Sequence, residues 1–234
     1  MTDRIAGIIG AMEEEVRSLI AAMTETQKTN IAGMEFVSGK LDGKNAVVVQ
    51  CGMGKVNAGI CAQTLISQFG VNAVINTGVA GSLNAEINIG DIVISKDAVQ
   101  HDYDVSAIGF AKGEIPYTGL YAFPADEALV SAARQAVKTS APDIGIFEGR
   151  ICSGDQFIAS KEQKQKIIDT FGGLCAEMEG AAIAQVCWLN KVSFVILRAI
   201  SDKADDSEEV SFEIFAARAA KVCADAVREM IQLI

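Results

Sequence analysis

Histidine is almost missing from this chain. His101 stands alone, and the six cysteines (Cys51, Cys61, Cys152, Cys175, Cys187 and Cys223) show no Cys-x-x-Cys spacing. Zinc sites need such ligands in clusters, so no metal is expected. A cysteine nucleophile usually relies on a histidine base, and with one histidine none of the six is a good candidate. They read as reduced core fillers, which places the protein in the cytoplasm. Proline is scarce too, with three residues and no linker-like segment. Basic residues are outnumbered, 20 Lys and Arg against 30 Asp and Glu, for a formal charge of −10. That balance argues against nucleic acid, whose phosphates need a basic face, and against an anionic membrane surface. No apolar run has the length of a bilayer span, and the one that follows Arg4 breaks at Glu13, too early for a secretory signal.

Apolar residues, by contrast, fill half of the 234 positions. That suffices for one large α/β core over residues 1–234 rather than two small ones. Ile5–Gly10 reads as a buried strand and Glu13–Met23 as an amphipathic helix. Met34–Leu41 and Asn45–Cys51 are β-rich runs joined by Asp42-Gly43, a strong hairpin signal. Gly52–Gly54 open a helix to Gln68, and Asn72–Thr77 form a strand that ends in a Gly78–Gly81 turn. Another strand falls at Ile92–Ser95, whereas His101–Pro124 has the weak periodicity of a functional loop. Beyond it, helices over Ala125–Lys138, from Lys161, over Glu179–Leu189 and over Ser211–Ile234 alternate with strands over Ile144–Ser153, Leu174–Met178 and Ser193–Ile200. This alternation predicts a three-layer α/β/α domain, and the hairpin requires its central sheet to be mixed.

Three acids stand out at strand ends. Glu15 follows the first strand, Glu179 lies in Glu177-Met178-Glu179-Gly180, and Asp202 ends the run that starts at Phe194. Taken singly, each reads as a helix cap or first-turn acid. Together they mark the edge where open α/β sheets bind ligands, and they suit acid–base work on a small substrate. Arg198, inside an apolar strand, needs a buried partner, and these carboxylates are the natural ones. The glycines carry less. Gly7 and Gly10 lack a third glycine, and Glu13–Glu15 crowd the place where a pyrophosphate wants bare amides. Gly52-Met53-Gly54-Lys55 lacks the spacing of a P-loop, since Val56 follows.

Five motifs in order, Gly10-Ala11-Met12-Glu13-Glu14-Glu15, Asn76-Thr77-Gly78, Ser153-Gly154-Asp155-Gln156-Phe157-Ile158, Glu177-Met178-Glu179 and Arg198-Ala199-Ile200-Ser201-Asp202, make the chain resemble a known family over nearly its whole length. It is similar to the bacterial 5′-methylthioadenosine/S-adenosylhomocysteine nucleosidases of the purine nucleoside phosphorylase superfamily. The resemblance implies an α/β/α subunit, usually in a homodimer, that hydrolyses adenine from a thio-ribose without a cofactor. It further implies Asp202 as the acid at adenine N7, Glu15 as the acceptor of a water proton and Glu179 as the ligand of the ribose hydroxyls. Met178 would pack on the sugar, Phe157 stack on adenine, the Ile158 backbone read its edge, and Arg198 hold the carboxylates. Met12, Gly81 and Phe212 match further pocket positions. Ile108 and Pro116 match a segment that reaches the partner subunit's thioalkyl pocket.

The residue chemistry agrees with that implication. Breaking a ribosyl C–N bond builds positive charge on the sugar and negative charge on the base, which a carboxylate and a carboxylic acid respectively relieve. A phosphate nucleophile would need cations where the chain has Glu13–Glu15. Rival readings are an aminofutalosine or 5′-deoxyadenosine hydrolase, a nucleoside phosphorylase, and a nucleoside-binding protein in which Asp202 stays idle. Val79 stands where many relatives carry serine, which leaves one hydroxyl fewer near the site.

Overall fold

A computed structural model describes residues 4–204 and 208–234, with side chains at 208–214 excepted. Its elements run β1 (Ala6–Gly10), α1 (Glu13–Ala22), β2 (Met23–Ile31), β3 (Met34–Leu41), β4 (Lys44–Gln50), α2 (Lys55–Phe69), β5 (Ala73–Ser82), β6 (Ile92–Gln100) and the two-residue β7 (Phe123–Pro124). They continue with α3 (Glu127–Ser140), β8 (Ile146–Ser153), α4 (Lys161–Phe171), β9 (Cys175–Glu177), α5 (Gly180–Asn190), β10 (Ser193–Asp202) and α6 (Glu208–Ile231).

Side-chain alternation explains the layering. In β10, Val195, Leu197 and Ala199 pack with α1, α3 and α6, while Phe194, Ile196 and Ile200 pack with α2 and α5. The neighbouring strands split the same way, Ile8 from Ile9 in β1 and Ile75 from Val74 in β5. Strands buried on both faces read as continuous apolar runs, and each fully buried Ile or Leu contributes about 1.5–3 kcal/mol. This is the three-layer α/β/α arrangement the pattern predicts.

The sheet is mixed. β1 pairs in parallel with β4 and β5, and β5 in parallel with β10, whereas β3 is antiparallel to both β2 and β4. The Asp42-Gly43 turn is as expected: Leu41 faces Lys44, and both turn residues have positive φ (46° and 86°), the signature of a type I′ hairpin. Beyond β5 the sheet curls and closes, since β10, β6, β8 and β9 lead back to β5.

Two expectations need correction. The first helix ends at Ala22, and Met23 begins β2, an edge strand absent from the sequence reading. Thr24–Asn30 is polar and largely exposed, so it has no alternation to betray a strand. Gly78–Gly81 is also no turn; β5 runs on to Ser82 and stays paired with β10 through Gly81. The glycines serve close approach there, as the site makes plain. The segment after Gln100 is irregular as predicted, apart from a 3₁₀ turn at Ser106–Ile108 and β7.

Candidate active site

An open cleft of about 590 Å³ lies at the carboxyl ends of β1, β5 and β10. It is lined by Glu15, Glu179 and Asp202, together with Met12, Val79, Gly81, Phe157, Ile158 and Met178.

Glu15 is held where α1 begins. Its Oε2 accepts the Ala11 and Met12 N–H groups at 2.6 and 2.9 Å, and its Oε1 accepts Val79 N–H at 3.1 Å. The first-turn reading and the site reading are therefore both true of it. Burial pushes its carboxyl above the usual range, against the pull of Arg198 and of the three amides. Glu13 and Glu14 are exposed, and Glu13 pairs with Arg17 at 3.0 Å. Of the three glutamates, Glu15 alone lines the cleft.

Asp202 reaches the cleft through a bulge. Ile200 opposes Ala80 and Asp202 opposes Gly81, which leaves Ser201 as an extra residue in β10. A bulge of this kind re-aims the side chain that follows it. Asp202 Oδ2 accepts from Ser201 Oγ at 2.7 Å, and Oδ1 accepts from Ala204 N–H at 2.9 Å. The two glycines of β5 make room for both acids: a Cβ on Gly78 would lie 2.5 Å from Glu15 Oε1, and one on Gly81 2.6 Å from Asp202 Oδ1. Glu15 is thus tied to Val79 and Asp202 rests on Gly81, two residues further along the same strand, a step of roughly 6–7 Å.

Glu179 occupies the position before α5 but does not cap it. The first amides of α5 are satisfied instead by Glu177, which accepts Glu179 and Gly180 N–H, and by Ser153 Oγ, which accepts Ala181 N–H at 2.7 Å. Glu179 is left to face the cleft, with Oε1 accepting Gly54 N–H at 2.8 Å. Burial, and then the neighbouring Glu177 charge, raise its pKa to about 7. Arg198 lies behind the cleft rather than in its lining. It donates to Glu177 Oε2 at 2.5 Å and to Asn76 Oδ1 at 2.6 Å, and remains 4.0 Å from Glu179 Oε2.

Phe157 is half-exposed at the cleft mouth, and Ile158 beside it is buried. Ile108 and Pro116 lie on the irregular segment and do not line this chain's cleft; Ile108 is 72% exposed. The Phe212 side chain and residues 205–207 of the acidic run fall outside the described residues. Sequence reasoning gave no role to Glu177, Asn76 or Ser153, which order the buried charges, nor to Met53 and Gln156, which line the cleft. The signal for Glu177 was present, since a buried arginine demands a partner.

The family model of the phosphorylase superfamily matches residues 5–232. The 5′-methylthioadenosine/S-adenosylhomocysteine nucleosidase of Shewanella loihica is 45% identical over 214 residues, 91% of this chain and 92% of its own. The solved structure of the Neisseria meningitidis nucleosidase in complex with methylthio-immucillin-A superposes with a TM-score of 0.95 at 37% identity, covering 99% of this chain and 100% of that one. A futalosine hydrolase structure from Helicobacter pylori is also similar, with a TM-score of 0.93 at 33% identity over 99% and 98% of the two chains. With such identity sustained from end to end, the chain belongs to the phosphorylase superfamily and, within it, to the 5′-methylthioadenosine/S-adenosylhomocysteine nucleosidases.

Proposed function

We propose that this enzyme, an N-glycosyl hydrolase, releases adenine from 5′-methylthioadenosine and S-adenosylhomocysteine, with Asp202 as acid and Glu15 as base. The observation that carries this reading is that two buried carboxyls line one cleft and meet β5 at Val79 and Gly81, two residues apart. Asp202 donates its proton to adenine N7 as the C1′–N9 bond breaks and the bonding electrons pass into the base. Glu15 takes a proton from water while the water oxygen bonds to C1′. A carboxylate held by three N–H donors is oriented for that task, and its raised pKa brings its basicity nearer to working pH. Glu179 holds the ribose hydroxyls, Met178 packs on the sugar, and Phe157 stacks on the base beside the Ile158 backbone. Arg198, fixed by Glu177, offsets the charge of the carboxylates and orders them.

Water is favoured over phosphate by charge. Among the described residues that line the cleft none is cationic, Arg17 is exposed on α1, and Arg198 is already paired. A phosphate there would meet Glu15 without compensation. The futalosine hydrolase reading shares the adenine and ribose contacts and is the alternative within the same chemistry. We extend the proposal to a homodimer in which Ile108 and Pro116 close the partner's thioalkyl pocket, and to a lining role for Phe212. The test is incubation with methylthioadenosine with and without phosphate. Adenine and methylthioribose at equal rates are expected; a sugar 1-phosphate formed only with phosphate would overturn the hydrolase.

A further inference from the structure

Lys55, Asp102 and Asp155 close a ring of hydrogen bonds beside the cleft. Asp102, just past β6, accepts Lys55 Nζ–H on Oδ1 at 2.5 Å and Asp155 N–H on Oδ2 at 2.8 Å. Lys55 N–H, at the start of α2, donates in turn to Asp155 Oδ1 at 2.8 Å. Lys55 Nζ also donates to Gln100 Oε1 at 3.1 Å, and the Gln100 amide donates to Gln185 of α5 at 2.5 Å. The ring ties the segment that follows β4 to those that follow β6 and β8, which the β6–β8 ladder joins as far as Gln100 and Ser153.

The charges in it are largely out of water, the Lys55 and Asp102 side chains being 16% and 19% exposed. Burial opposes ionisation of Asp102, yet the bonds from Lys55 and Asp155 hold its carboxyl below the usual range. A solvated pair would contribute little and fix nothing; a desolvated one with both carboxylate oxygens bonded fixes geometry.

What the ring fixes is adjacent to the site. Gly54, one residue before Lys55, is the donor to Glu179 Oε1. That bond fixes the direction of the carboxylate, with Oε2 and the second lone pair of Oε1 left for a ligand. Asp155 meanwhile opens the segment that brings Gln156 and Phe157 to the cleft.

We propose that Lys55 and Asp102 are positioning residues that keep the Gly54 N–H on Glu179 and so set the affinity of the site for the ribose hydroxyls. The inference rests on the proposed ribose role of Glu179. Asp102→Ala opens the ring. Asp102→Asn has one acceptor oxygen for two donors and opens one arm. Lys55→Met removes the ammonium while leaving every backbone bond, and serves if the Asp102 variants do not fold.

The experiment is calorimetric titration with two non-cleavable 5′-methylthioadenosine analogues, one with both ribose hydroxyls and one 2′,3′-dideoxy. Loss of a properly aimed charged acceptor predicts affinity for the hydroxylated analogue about tenfold or more weaker in Asp102→Ala, and a smaller loss in Lys55→Met. For the dideoxy analogue the loss should stay within about twofold, because the interaction being disturbed is no longer made. Equal losses on both analogues, or none, overturn the proposal. If the wild type binds the two analogues equally, the ribose role of Glu179 falls instead, and amide exchange then decides on the ring itself. Opening it should speed exchange at Gly54 about tenfold or more; unchanged exchange would sink the ring as a positioning device.

Discussion

Arg198 donates to Glu177 across 2.5 Å but stays 4.0 Å from Glu179, so the buried cation neutralises the carboxylate that caps α5 and leaves the other carboxylate to the cleft. Three glutamates act on one guanidinium, and Glu177 is its direct partner.

Removing that partner is costly. Glu177→Gln leaves Arg198 buried without its counter-charge, and loss of one member of a buried pair destabilises by about 3–5 kcal/mol. Urea unfolding at pH 7 measures this. The same change removes the Glu177 charge that helps to raise Glu179, so the acidic limb of nucleoside binding should move to lower pH in Glu177→Gln. A binding profile that stays in place would show that Glu177 does not act on Glu179 electrostatically.

Glu179 also predicts a pH dependence of stability. Its folded pKa, about 7, lies above the ordinary glutamate value of 4.5, so the folded state holds a proton that the unfolded state has released between those values. The resulting stabilisation is present in full below pH 4.5 and is lost as pH rises through 7. Glu179→Gln carries no such term. Relative to the wild type, the variant should therefore gain on the order of 2–3 kcal/mol between pH 5 and pH 8. Paired urea titrations at the two pH values read the difference, and a constant offset would contradict the raised pKa.

The parts of the fold and site that were legible in the sequence share a local signal. β1 and the core of β10 are apolar runs, Asp42-Gly43 is a turn with one reading, and Glu15, Glu179 and Asp202 are acids where apolar strands stop. What stayed hidden had no local signal. β2 is a polar edge, and the bulge at Ser201 depends on how β10 meets β5. The Lys55, Asp102 and Asp155 contacts join residues 47, 53 and 100 positions apart, where spacing carries no information. Glu177 was visible as a residue, yet its two tasks, capping α5 and holding Arg198, exist only once those elements are packed.

The acid and the base should separate in their variants. Asp202→Asn keeps an acceptor for Ala204 N–H but has no proton of the right acidity to give, so turnover should fall about 10²–10⁴-fold with ligand affinity little changed. Glu15→Gln should lose turnover and stability together. Its oxygens now accept three N–H groups, and an amide must turn its NH₂ toward at least one of them, at a cost of about 1–3 kcal/mol. Single-turnover adenine release and thermal unfolding of both variants are the measurements, and full activity in either would remove its assigned role.

Gly81 offers the most local perturbation of the acid. A Cβ there would stand 2.6 Å from Asp202 Oδ1 and 2.9 Å from Ala204 Cβ, contacts that real side chains do not tolerate. The backbone of Gly81 is paired to the bulged end of β10 and cannot retreat without breaking that register. The Asp202 carboxylate must then move, although its hydrogen bonds to Ser201 and Ala204 oppose the shift. Displacements of about 1 Å at a reacting group can cost on the order of 10²-fold in rate. Gly81→Ala should accordingly lower kcat by that order while the protein remains folded. Gly33→Ala, in an open turn where a Cβ would meet nothing within 4 Å, should leave kcat unchanged despite its positive φ. Equal kcat in the two variants would mean that the close approach of Gly81 to Asp202 does not govern the acid.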